Sequence, residues 1–432
     1  MRSRLKLAAF ALLACLAGQG QRAEGVAPQI RIGLLQHAEA VRFAGPSGIF
    51  VRPLRGAGDI GSGEPGEIWE ARAAGGQVRV TSPAGEARLV RHGVRVVGAD
   101  GGTVTVCGVA GHWDDLVGRQ YRGSVEIRPG PGGGLSVINV VDIEEYLRGV
   151  VPSEMPPDYP EEALKAQAVA ARGQAIMKAR RHWREGFDLC AAQHCQVYGG
   201  ASAEDPRTDR AVAETRGQVL MYGRHIADTL YSSNCGGHTA NNEDYWPGQR
   251  PVPYLRGVPD FHPGEGDTYH FPLAEEQLRR FLKYAPRVNC NQPQYAAAEK
   301  IRWWSVVPVS DLQETLRQSI GDFGDLLGLR IVDRADCGMV VALEVIGSRR
   351  HVRLTGGAAV RSALGGLNSA TFALEPVLAA DGLPVAYIIW GAGWGHQVGM
   401  CQVGAAGLAD QGWSYVRILT KYYPGCRVVK RY

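Results

Sequence analysis

The sequence lacks a long apolar run, a strong charge imbalance and any repeated or low-complexity tract. Its most apolar stretch, Leu7 to Ala17, is shorter than the ~20 residues that a membrane-spanning helix needs. A polytopic membrane protein is therefore excluded. A formal net charge of +4 over 432 residues, without basic clusters, argues against nucleic acid as a partner. The absence of a fixed period argues against repeat and coiled-coil architectures.

The N-terminus has the composition of a secretory signal. The basic segment Met1-Arg-Ser-Arg-Leu-Lys6 precedes the apolar run, and small and polar residues follow it. We therefore expect residues 1–25 to be a signal peptide and the mature protein to be exported to the periplasm or cell envelope. Leu12-Leu-Ala-Cys15 is similar to a lipoprotein cleavage box, although Leu13 is atypical there. A lipid anchor on Cys15 is the alternative.

Cysteine is sparse but even in number once the signal peptide is set aside. An exported protein permits disulfides, but their pairing does not follow from the sequence. The eight remaining cysteines are Cys107, Cys190, Cys195, Cys235, Cys290, Cys337, Cys401 and Cys426.

Local patterns predict an α+β fold. Residues 26–119 alternate apolar and polar positions in short runs such as Gln77-Val-Arg-Val-Thr81, separated by glycines, which is typical of strands and turns. Residues 120–432 form a mixed region with a helical insertion at about 270–325. Its clearest helix is predicted over Glu161 to Arg180, which is rich in alanine and has acids in its first turn. Small alanine side chains let other elements approach, so this helix should be central and buried.

Five segments occur in a characteristic order. They are Ile138-Asn-Val-Val-Asp-Ile-Glu-Glu-Tyr-Leu-Arg-Gly-Val-Val-Pro-Ser-Glu-Met155, Leu164-Lys-Ala-Gln-Ala-Val-Ala-Ala-Arg172, Cys195-Gln-Val-Tyr-Gly-Gly200, Tyr231-Ser-Ser-Asn-Cys-Gly-Gly-His-Thr239 and Gly393-Trp-Gly-His-Gln-Val-Gly-Met-Cys-Gln402. Through them, residues from about 120 to 432 resemble the SpoIID/LytB family of peptidoglycan-acting proteins. The resemblance implies a lytic transglycosylase that cleaves glycan strands at N-acetylmuramic acid and leaves 1,6-anhydro ends. The LytB branch implies an alternative, a non-catalytic wall binder that enhances a partner N-acetylmuramoyl-L-alanine amidase.

Glu154 is the candidate catalytic residue. It stands among Pro152, Pro156 and Pro157, just before the predicted helix, in what we interpret as a rigid turn. A partly apolar pocket formed with Met155 would raise the pKa of the carboxyl group and suit it to donate a proton near neutral pH. The alternative is that Glu154 only complements the helix N-terminus. Glu154 matches the catalytic glutamate of the family, and the resemblance favours the catalytic role.

Two glycine-rich segments supply candidate substrate-binding residues. Ser233, His238 and Thr239 lie in the first, and His396 and Gln402 lie in the second. Polar groups beside glycines suit a sugar, because the backbone can approach its hydroxyl groups closely. The alternatives are an ordinary turn and a structural histidine.

The predicted long helix contributes two further candidates, Gln167 and Arg172. They are five positions apart and point in different directions on a helix. The resemblance favours a substrate-facing role for part of this helix. For Arg172 an ion pair with an acid such as Asp188 is equally consistent with the sequence.

A compact group of His182, Cys190, His194 and Cys195 has the ligand types that tetrahedral zinc prefers. Its role would be structural. A disulfide between Cys190 and Cys195 is the competing interpretation, since an exported protein would permit one.

Two residues in the last motif depart from the family pattern. Gln397 stands where the family usually has glycine, and Cys401 stands where it usually has serine. These departures bear on the geometry of the motif and on substrate preference.

Overall fold

The computed structural model describes residues 27–108, 118–262, 269–284 and 286–432. The predicted signal peptide and Cys15 lie outside the described residues. Within those ranges, no helix combines the length and apolar character that crossing a membrane requires. Helices and several sheets are combined in one chain, which confirms the α+β prediction.

Strands dominate the first third of the chain. They are β1 (Gln29–Ala38), β2 (Ala40–Ala44), β3 (Ile49–Pro53), β4 (Gly61–Gly63), β5 (Trp69–Ala74), β6 (Gln77–Thr81), β7 (Ala87–Val90), β8 (Val94–Gly98), β9 (Val104–Val106), β10 (Arg119–Tyr121), β11 (Ser124–Pro129) and β12 (Leu135–Asp142). The later strands are β13 (Leu189–Cys190), β14 (Gln218–Tyr222), β15 (His225–Ile226), β16 (Tyr231–Ser232), β17 (Arg302–Pro308), β18 (Leu326–Arg334), β19 (Val340–Gly347), β20 (His351–Thr355), β21 (Phe372–Leu378), β22 (Pro384–Ala392), β23 (Met400–Cys401) and β24 (Arg427–Lys430).

Helices lie almost entirely in the later part of the described chain. They are α1 (Ile143–Glu154), α2 (Glu161–Lys178), α3 (Pro206–Glu214), α4 (Asn242–Tyr245), α5 (Glu275–Lys283), α6 (Val309–Ile320), α7 (Gly357–Ala363), α8 (Gln402–Asp410) and α9 (Tyr415–Tyr422).

Two large sheets form the β-rich part. The first has the order β13-β1-β12-β11-β8-β3-β4 and the second has the order β10-β9-β2-β5-β6-β7. Alternate residues of β3, β6 and β8 are buried, as expected where one face of each sheet contributes to the core. The first sheet takes strands from both sides of residue 119. The division into regions 26–119 and 120–432 remains a prediction.

Helix α1 differs from the expectation that Glu154 follows a strand-like segment and sits in a turn. Ile143–Glu154 is helical, and Glu154 is its last residue. The Asp142 side chain caps the helix by accepting a hydrogen bond from the Glu144 amide at 2.8 Å. Apolar residues recur at the helical spacing of three and four, and they bury one face: Ile143, Tyr146, Leu147, Val150 and Val151. Pro152 lies in the last turn, where it has no amide to donate to the Arg148 carbonyl, and the helix ends two residues later.

Helix α2 confirms the prediction of a central, buried helix. Its small residues let α1, α3, α8 and α9 pack around it. Two helices, α5 and α6, lie within the segment at about 270–325 that was predicted to be helical, and strand β17 lies between them. The side chains of α6 and of the strands from β17 to β22 form a second hydrophobic core.

A short parallel pair of strands brings the last two motifs together. In β16 and β23, Tyr231 pairs with Met400 and Ser232 pairs with Cys401. Two isolated bridges continue the contact, from Asn234 to Trp394 and from Ala240 to Val398. The two glycine-rich segments therefore lie side by side at the end of α1.

Candidate functional site

A cavity of about 1080 Å³ opens where α1, α2 and the two glycine-rich segments meet. Segments distant in sequence converge on its walls. Lining residues include Glu154, Tyr231, Ser233, Trp246, His396 and Gln402.

Glu154 occupies the end of α1 at the wall of this cavity. The backbone amide of Val197 donates a hydrogen bond to its Oε1 at 2.6 Å. Burial raises the pKa of the Glu154 carboxyl group above its usual range, and hydrogen bonds with Val197 and the Tyr231 side chain offset part of that rise. The direction agrees with the expectation from the sequence. A carboxyl group in this setting holds its proton at a higher pH than an exposed glutamate.

Tyr231 and Gln196 belong to the site but were missed as individual residues. The Gln196 side-chain amide donates to the Tyr231 hydroxyl at 3.0 Å and also to the carbonyl of Ala171 in α2 at 3.2 Å. Gln196 in turn accepts a hydrogen bond from the Tyr146 hydroxyl at 3.2 Å. This buried network fixes the phenol beside Glu154. Both residues lie inside two of the five characteristic segments, and this position in the sequence could have identified them as candidates.

Gln402 and Gln167 form a second contact with the end of α1. The Gln402 side-chain amide donates to the backbone carbonyl of Glu154 at 3.0 Å and approaches Oε1 of Gln167 at 3.4 Å. Gln402 lines the cavity, whereas Gln167 lies fully buried behind it. Gln167 is therefore placed to support Gln402 and not to touch a ligand directly.

His396 and Ser233 both line the cavity, as the sequence predicted. The amide of Val398 donates to Nδ1 of His396 at 3.0 Å, so the ring carries any single proton on Nε2. Burial lowers the pKa of His396 to about 4, and the ring is neutral near pH 7. It packs against Trp246 with 5.2 Å between ring centroids.

Arg172 lies away from the cavity. It is fully buried and forms a two-point ion pair with Glu144, at 2.8 Å and 2.7 Å. Its partner is thus Glu144 on α1, not Asp188, whose carboxylate accepts from the backbone amides of Arg31 and Arg180. This placement does not support a substrate-binding role for Arg172, because α2 turns the position towards α1 and the protein interior.

His238 and Thr239 also lie outside the cavity lining. Nδ1 of His238 is 2.7 Å from the carbonyl oxygen of Thr239, and its ring packs on Phe271. The Thr239 hydroxyl accepts a hydrogen bond from the amide of Val258 at 2.8 Å. An isolated antiparallel bridge joins His238 to Pro259, and neither His238 nor Thr239 is among the residues that line the cavity. Their substrate-binding role is not supported by this placement.

Basic side chains outnumber acidic ones on the cavity wall. Within the described ranges, two carboxyl groups line it, those of Glu154 and Asp228, and Asp228 is 3.6 Å from the Lys178 ammonium group. The basic residues of the wall are Lys178, Arg180, Arg181, Lys300 and Arg361. A groove of this charge favours an anionic ligand.

The predicted zinc ligands come together next to the cavity. Sγ of Cys195 is 3.4 Å from Nε2 of His182 and 3.7 Å from Nδ1 of His194, and Sγ of Cys190 is 3.7 Å from the same His194 atom. Ligand atoms around tetrahedral zinc are separated by about 3.5 to 3.8 Å, given the usual bond lengths. The four residues therefore fit a zinc ion. The two cysteines are not joined by a disulfide in the structure.

A neighbouring carboxylate orients one of these ligands. Nδ1 of His182 is 3.1 Å from the Glu185 carboxylate, which leaves Nε2 directed at the sulfur atoms. Metal-bound histidines commonly have such a partner on the other ring nitrogen.

Gln397, which stands where glycine is usual in the resembling family, adopts a positive φ of 62°. This region is unfavourable for residues with a side chain. The Gln397 side chain compensates by accepting a hydrogen bond from Thr371 at 2.8 Å and donating to the carbonyl of Cys235 at 2.8 Å. The departure therefore keeps the turn geometry and ties the two glycine-rich segments together.

Two family models match the chain. One, described as Stage II sporulation protein (SpoIID), matches residues 131–222. The other, described as a domain of unknown function (DUF8618), matches residues 240–399. The first match contains Glu154 and all four predicted zinc ligands.

Curated relatives cover much of the chain at moderate identity. The amidase enhancer of Bacillus subtilis is 31% identical over 72% of this chain and 44% of its own length. An uncharacterized protein of Brachyspira hyodysenteriae is 29% identical over 73% of both chains. Stage II sporulation protein D of Bacillus amyloliquefaciens is 28% identical over 66% of this chain and 73% of its own. The matched region is less than half of the amidase enhancer.

Proposed function

Because the chain belongs to the SpoIID/LytB family, we propose that it is an exported peptidoglycan lytic transglycosylase with Glu154 as its catalytic acid and base. The names of its relatives support a role at the cell wall. We further propose the cleavage reaction and the residues that perform it.

The observation that carries the proposal is that Glu154 is, among the described residues lining the cavity, the one carboxyl group without a basic partner. Glycosidases that use water generally need two carboxyl groups. Here the other carboxyl group among the described lining residues, Asp228, is engaged by the Lys178 ammonium group at 3.6 Å. A reaction that needs only one proton-transferring carboxyl group fits this arrangement better than ordinary hydrolysis.

In the proposed reaction Glu154 first donates its proton to the oxygen of the glycosidic bond that breaks. The 6-hydroxyl of the same N-acetylmuramic acid then attacks the anomeric carbon, and Glu154 takes up the hydroxyl proton. A 1,6-anhydro ring closes, and the carboxyl group returns to its starting state. Since the nucleophile belongs to the substrate, positioning supplies much of the rate. Val197 and Tyr231 hold the carboxyl group in place for both steps.

The basic wall suggests which glycan is preferred. When its stem peptide has been removed, N-acetylmuramic acid carries a free lactyl carboxylate. Lys178, Arg181 and Arg361 could neutralise that charge. Glycan stripped of stem peptides is therefore the substrate that we expect to bind best.

The His182, Cys190, His194 and Cys195 cluster would hold a structural zinc ion. When bound, zinc would cross-link these residues and supply no chemical step. Cys195 precedes Gln196 and Val197, the two residues that position Tyr231 and Glu154. The cluster would therefore stabilise the geometry of the acid.

A second candidate function is supported by the amidase enhancer among the relatives. In that case the same groove would bind glycan without cleaving it and would stimulate a partner N-acetylmuramoyl-L-alanine amidase. Both functions use peptidoglycan glycan strands as the ligand, but only the first forms new 1,6-anhydro ends.

The test is to incubate the mature protein with intact sacculi and with peptide-free glycan strands, alone and with an amidase. Mass spectrometry of the soluble products would detect anhydro-N-acetylmuramic acid as a loss of water relative to the reducing end. Release of anhydro ends by the protein alone supports the transglycosylase. If no such product forms and the amidase is accelerated, the enhancer function replaces it.

A further inference from the structure

A second cluster of ligand-type side chains lies behind the cavity. Sγ of Cys235 is 3.7 Å from Sγ of Cys290 and 3.5 Å from Oδ2 of Asp260. Cys401 completes the group, and the four ligand atoms lie within 4.8 Å of one another. All four residues are buried, Asp260 and Cys401 completely. Three thiols around one carboxyl group, shielded from water, are an unusual content for a hydrophobic core.

Each ligand comes from a different segment. Cys235 lies in the glycine-rich segment after β16. Asp260 precedes α5 in the chain and Cys290 follows it. Cys401 caps the N-terminus of α8. The backbone amide of Asn289 donates a hydrogen bond to the carbonyl of Asp260 at 2.8 Å. This bond joins two of the segments without using any ligand side chain. The four ligands therefore converge by tertiary packing.

The surroundings orient the carboxyl group towards the sulfur atoms. Oδ1 of Asp260 accepts hydrogen bonds from the Tyr422 hydroxyl at 2.8 Å and from the Asn289 side chain at 3.3 Å. Oδ2 is left facing Cys235. Outer hydrogen bonds that fix one oxygen and free the other are typical of carboxylate ligands.

Cys401 is positioned as a thiolate. Its Sγ accepts hydrogen bonds from the amides of Cys235 at 3.2 Å and Gly404 at 3.3 Å. Amide donors at a helix N-terminus stabilise a negatively charged sulfur atom. Serine, which is usual at this position in the resembling family, is a poor zinc ligand, whereas Cys401 supplies a thiolate.

Arg302 places a positive charge near Cys235 and Cys290, and no carboxylate pairs with it among the described residues. It donates to the backbone carbonyls of Phe281, Gly236 and Ile301, which are neutral. Its Nη2 is buried without a hydrogen-bond partner among the described residues. Three thiolates and one carboxylate around a divalent cation carry a net charge of −2, which would be partly balanced by this guanidinium group.

We propose that Cys235, Asp260, Cys290 and Cys401 bind a structural zinc ion, distinct from the one expected at His182, Cys190, His194 and Cys195. Thiolate and carboxylate ligands are both accepted by zinc, and four protein ligands without an open position indicate a structural site. A disulfide between Cys235 and Cys290 would use two of the four groups and leave the Asp260 carboxyl and the Cys401 sulfur without a partner of opposite charge. A bound zinc ion would instead be a partner for all four side chains.

The ion would fix the back wall of the cavity. It would join the glycine-rich segment at Cys235 to the start of α8 at Cys401. Gln402, the next residue, contacts the backbone carbonyl of Glu154. Zinc binding is therefore coupled to folding around the site and does not depend on whether glycan is cleaved.

The first experiment counts ions in the mature protein by native mass spectrometry and elemental analysis. We expect about two zinc ions per chain in the parent, and about one in a Cys190→Ser/Cys195→Ser variant and in a Cys401→Ser variant, since each site needs its thiolates. Cys426→Ser, which removes a buried thiol outside both clusters, should keep both ions and serves as the control. A parent protein with one ion that is lost in Cys190→Ser/Cys195→Ser would overturn the proposal.

A second experiment uses only the parent, so it does not depend on whether variants fold. The protein is alkylated without reduction and digested. Recovery of Cys235 and Cys290 as separate alkylated peptides after unfolding in chelator is the expected result, and a peptide linked through these two cysteines would replace the metal with a disulfide.

A third experiment uses the Cys190→Ser/Cys195→Ser variant. Reconstituted with Co²⁺, it should still show thiolate charge-transfer absorption from the second cluster. Loss of all such absorption in that variant, with its thermal transition retained, would contradict the second site.

Discussion

Val197 donates its backbone amide to Oε1 of Glu154 at 2.6 Å, and it stands two residues after Cys195, one of the four predicted zinc ligands. The candidate acid is therefore held by a segment whose own position depends on the cluster. This relationship joins the proposed chemistry at the end of α1 to the proposed zinc ion. In this arrangement Glu154 would act on the substrate, and Val197 would position Glu154.

Replacing Glu154 with glutamine should abolish cleavage while keeping the fold and glycan binding. Glutamine preserves shape but has no transferable proton, and general acid and base catalysis is worth about 10² to 10⁴-fold. One group performs both roles here, so the loss should reach the upper end of that range. The measurement is the rate of anhydro-muropeptide release. Glu161→Gln, an exposed change at the start of α2, is the matched control and should act like the parent. Near-parental release by Glu154→Gln would refute the assignment.

The pH dependence should report the raised pKa of Glu154. Because the acid must be protonated, kcat/KM should fall as the pH rises through that pKa. His396, with a pKa of about 4, should add no transition near neutrality. A folded-state pKa above the unfolded value favours folding at low pH, and this contribution is lost as the pH rises. Glu154→Gln should therefore be at least as stable as the parent at pH 7, measured by thermal unfolding.

Two histidines should differ in their effects. His396→Ala should reduce glycan cleavage with little change in Tm, because the ring lines the cavity. His238→Ala should lower Tm with near-parental specific activity, because its ring packs on Phe271 outside the cavity. Activity and thermal unfolding measured on both variants decide between these roles. An unstable but fully active His396→Ala would place that residue among the structural ones.

Removing the Glu185 carboxylate, which orients His182, should weaken zinc binding at the cluster of His182, Cys190, His194 and Cys195. Loss of such a partner typically lowers metal affinity by about 10 to 100-fold. Glu185→Ala should therefore release zinc to a chelator at correspondingly lower chelator concentration. Glu86→Ala, which removes an exposed carboxylate elsewhere, is the control. Equal chelator sensitivity of the two variants would argue against zinc at this cluster.

The Arg172 and Glu144 pair should be important for stability. Arg172→Met leaves the Glu144 carboxylate buried without its cation, which typically costs about 3 to 5 kcal/mol of unfolding free energy. Burial tends to raise the pKa of Glu144, but Arg172 and the hydrogen bonds from Tyr432 and Gly217 outweigh it and the pKa is lowered. The stability from this pair is present above the unfolded pKa and is lost as the pH falls through the folded one.

Denaturant titrations of Arg172→Met at several pH values measure this cost. The exposed pair of Arg207 and Asp205 provides the control, since Arg207→Met should unfold at the parental midpoint. A midpoint for Arg172→Met within error of the parent would show that the buried pair is not stabilising.

Local features of the sequence determined much of the fold. The strong helix formers and acidic first turn of 161–178 were sufficient to predict α2, because helix propensity and periodicity are local properties. The grouping of His182, Cys190, His194 and Cys195 was also predictable, since the four residues lie within fourteen positions of one another in the sequence. Helix α1 was missed because Pro152 and the prolines after it suggested a turn, although Asp142 and the apolar spacing predict a helix.

Only the tertiary structure decided which residues share a site. The sequence offered Arg172, His238 and Gln402 alike as substrate-binding residues, but packing turned Arg172 towards Glu144, His238 towards Phe271 and Gln402 towards the cavity. The buried group of Cys235, Asp260, Cys290 and Cys401 has no local signal, because its members are separated by up to 166 residues. Such contacts depend on how sheets and helices pack against one another, and local sequence propensity does not determine that packing.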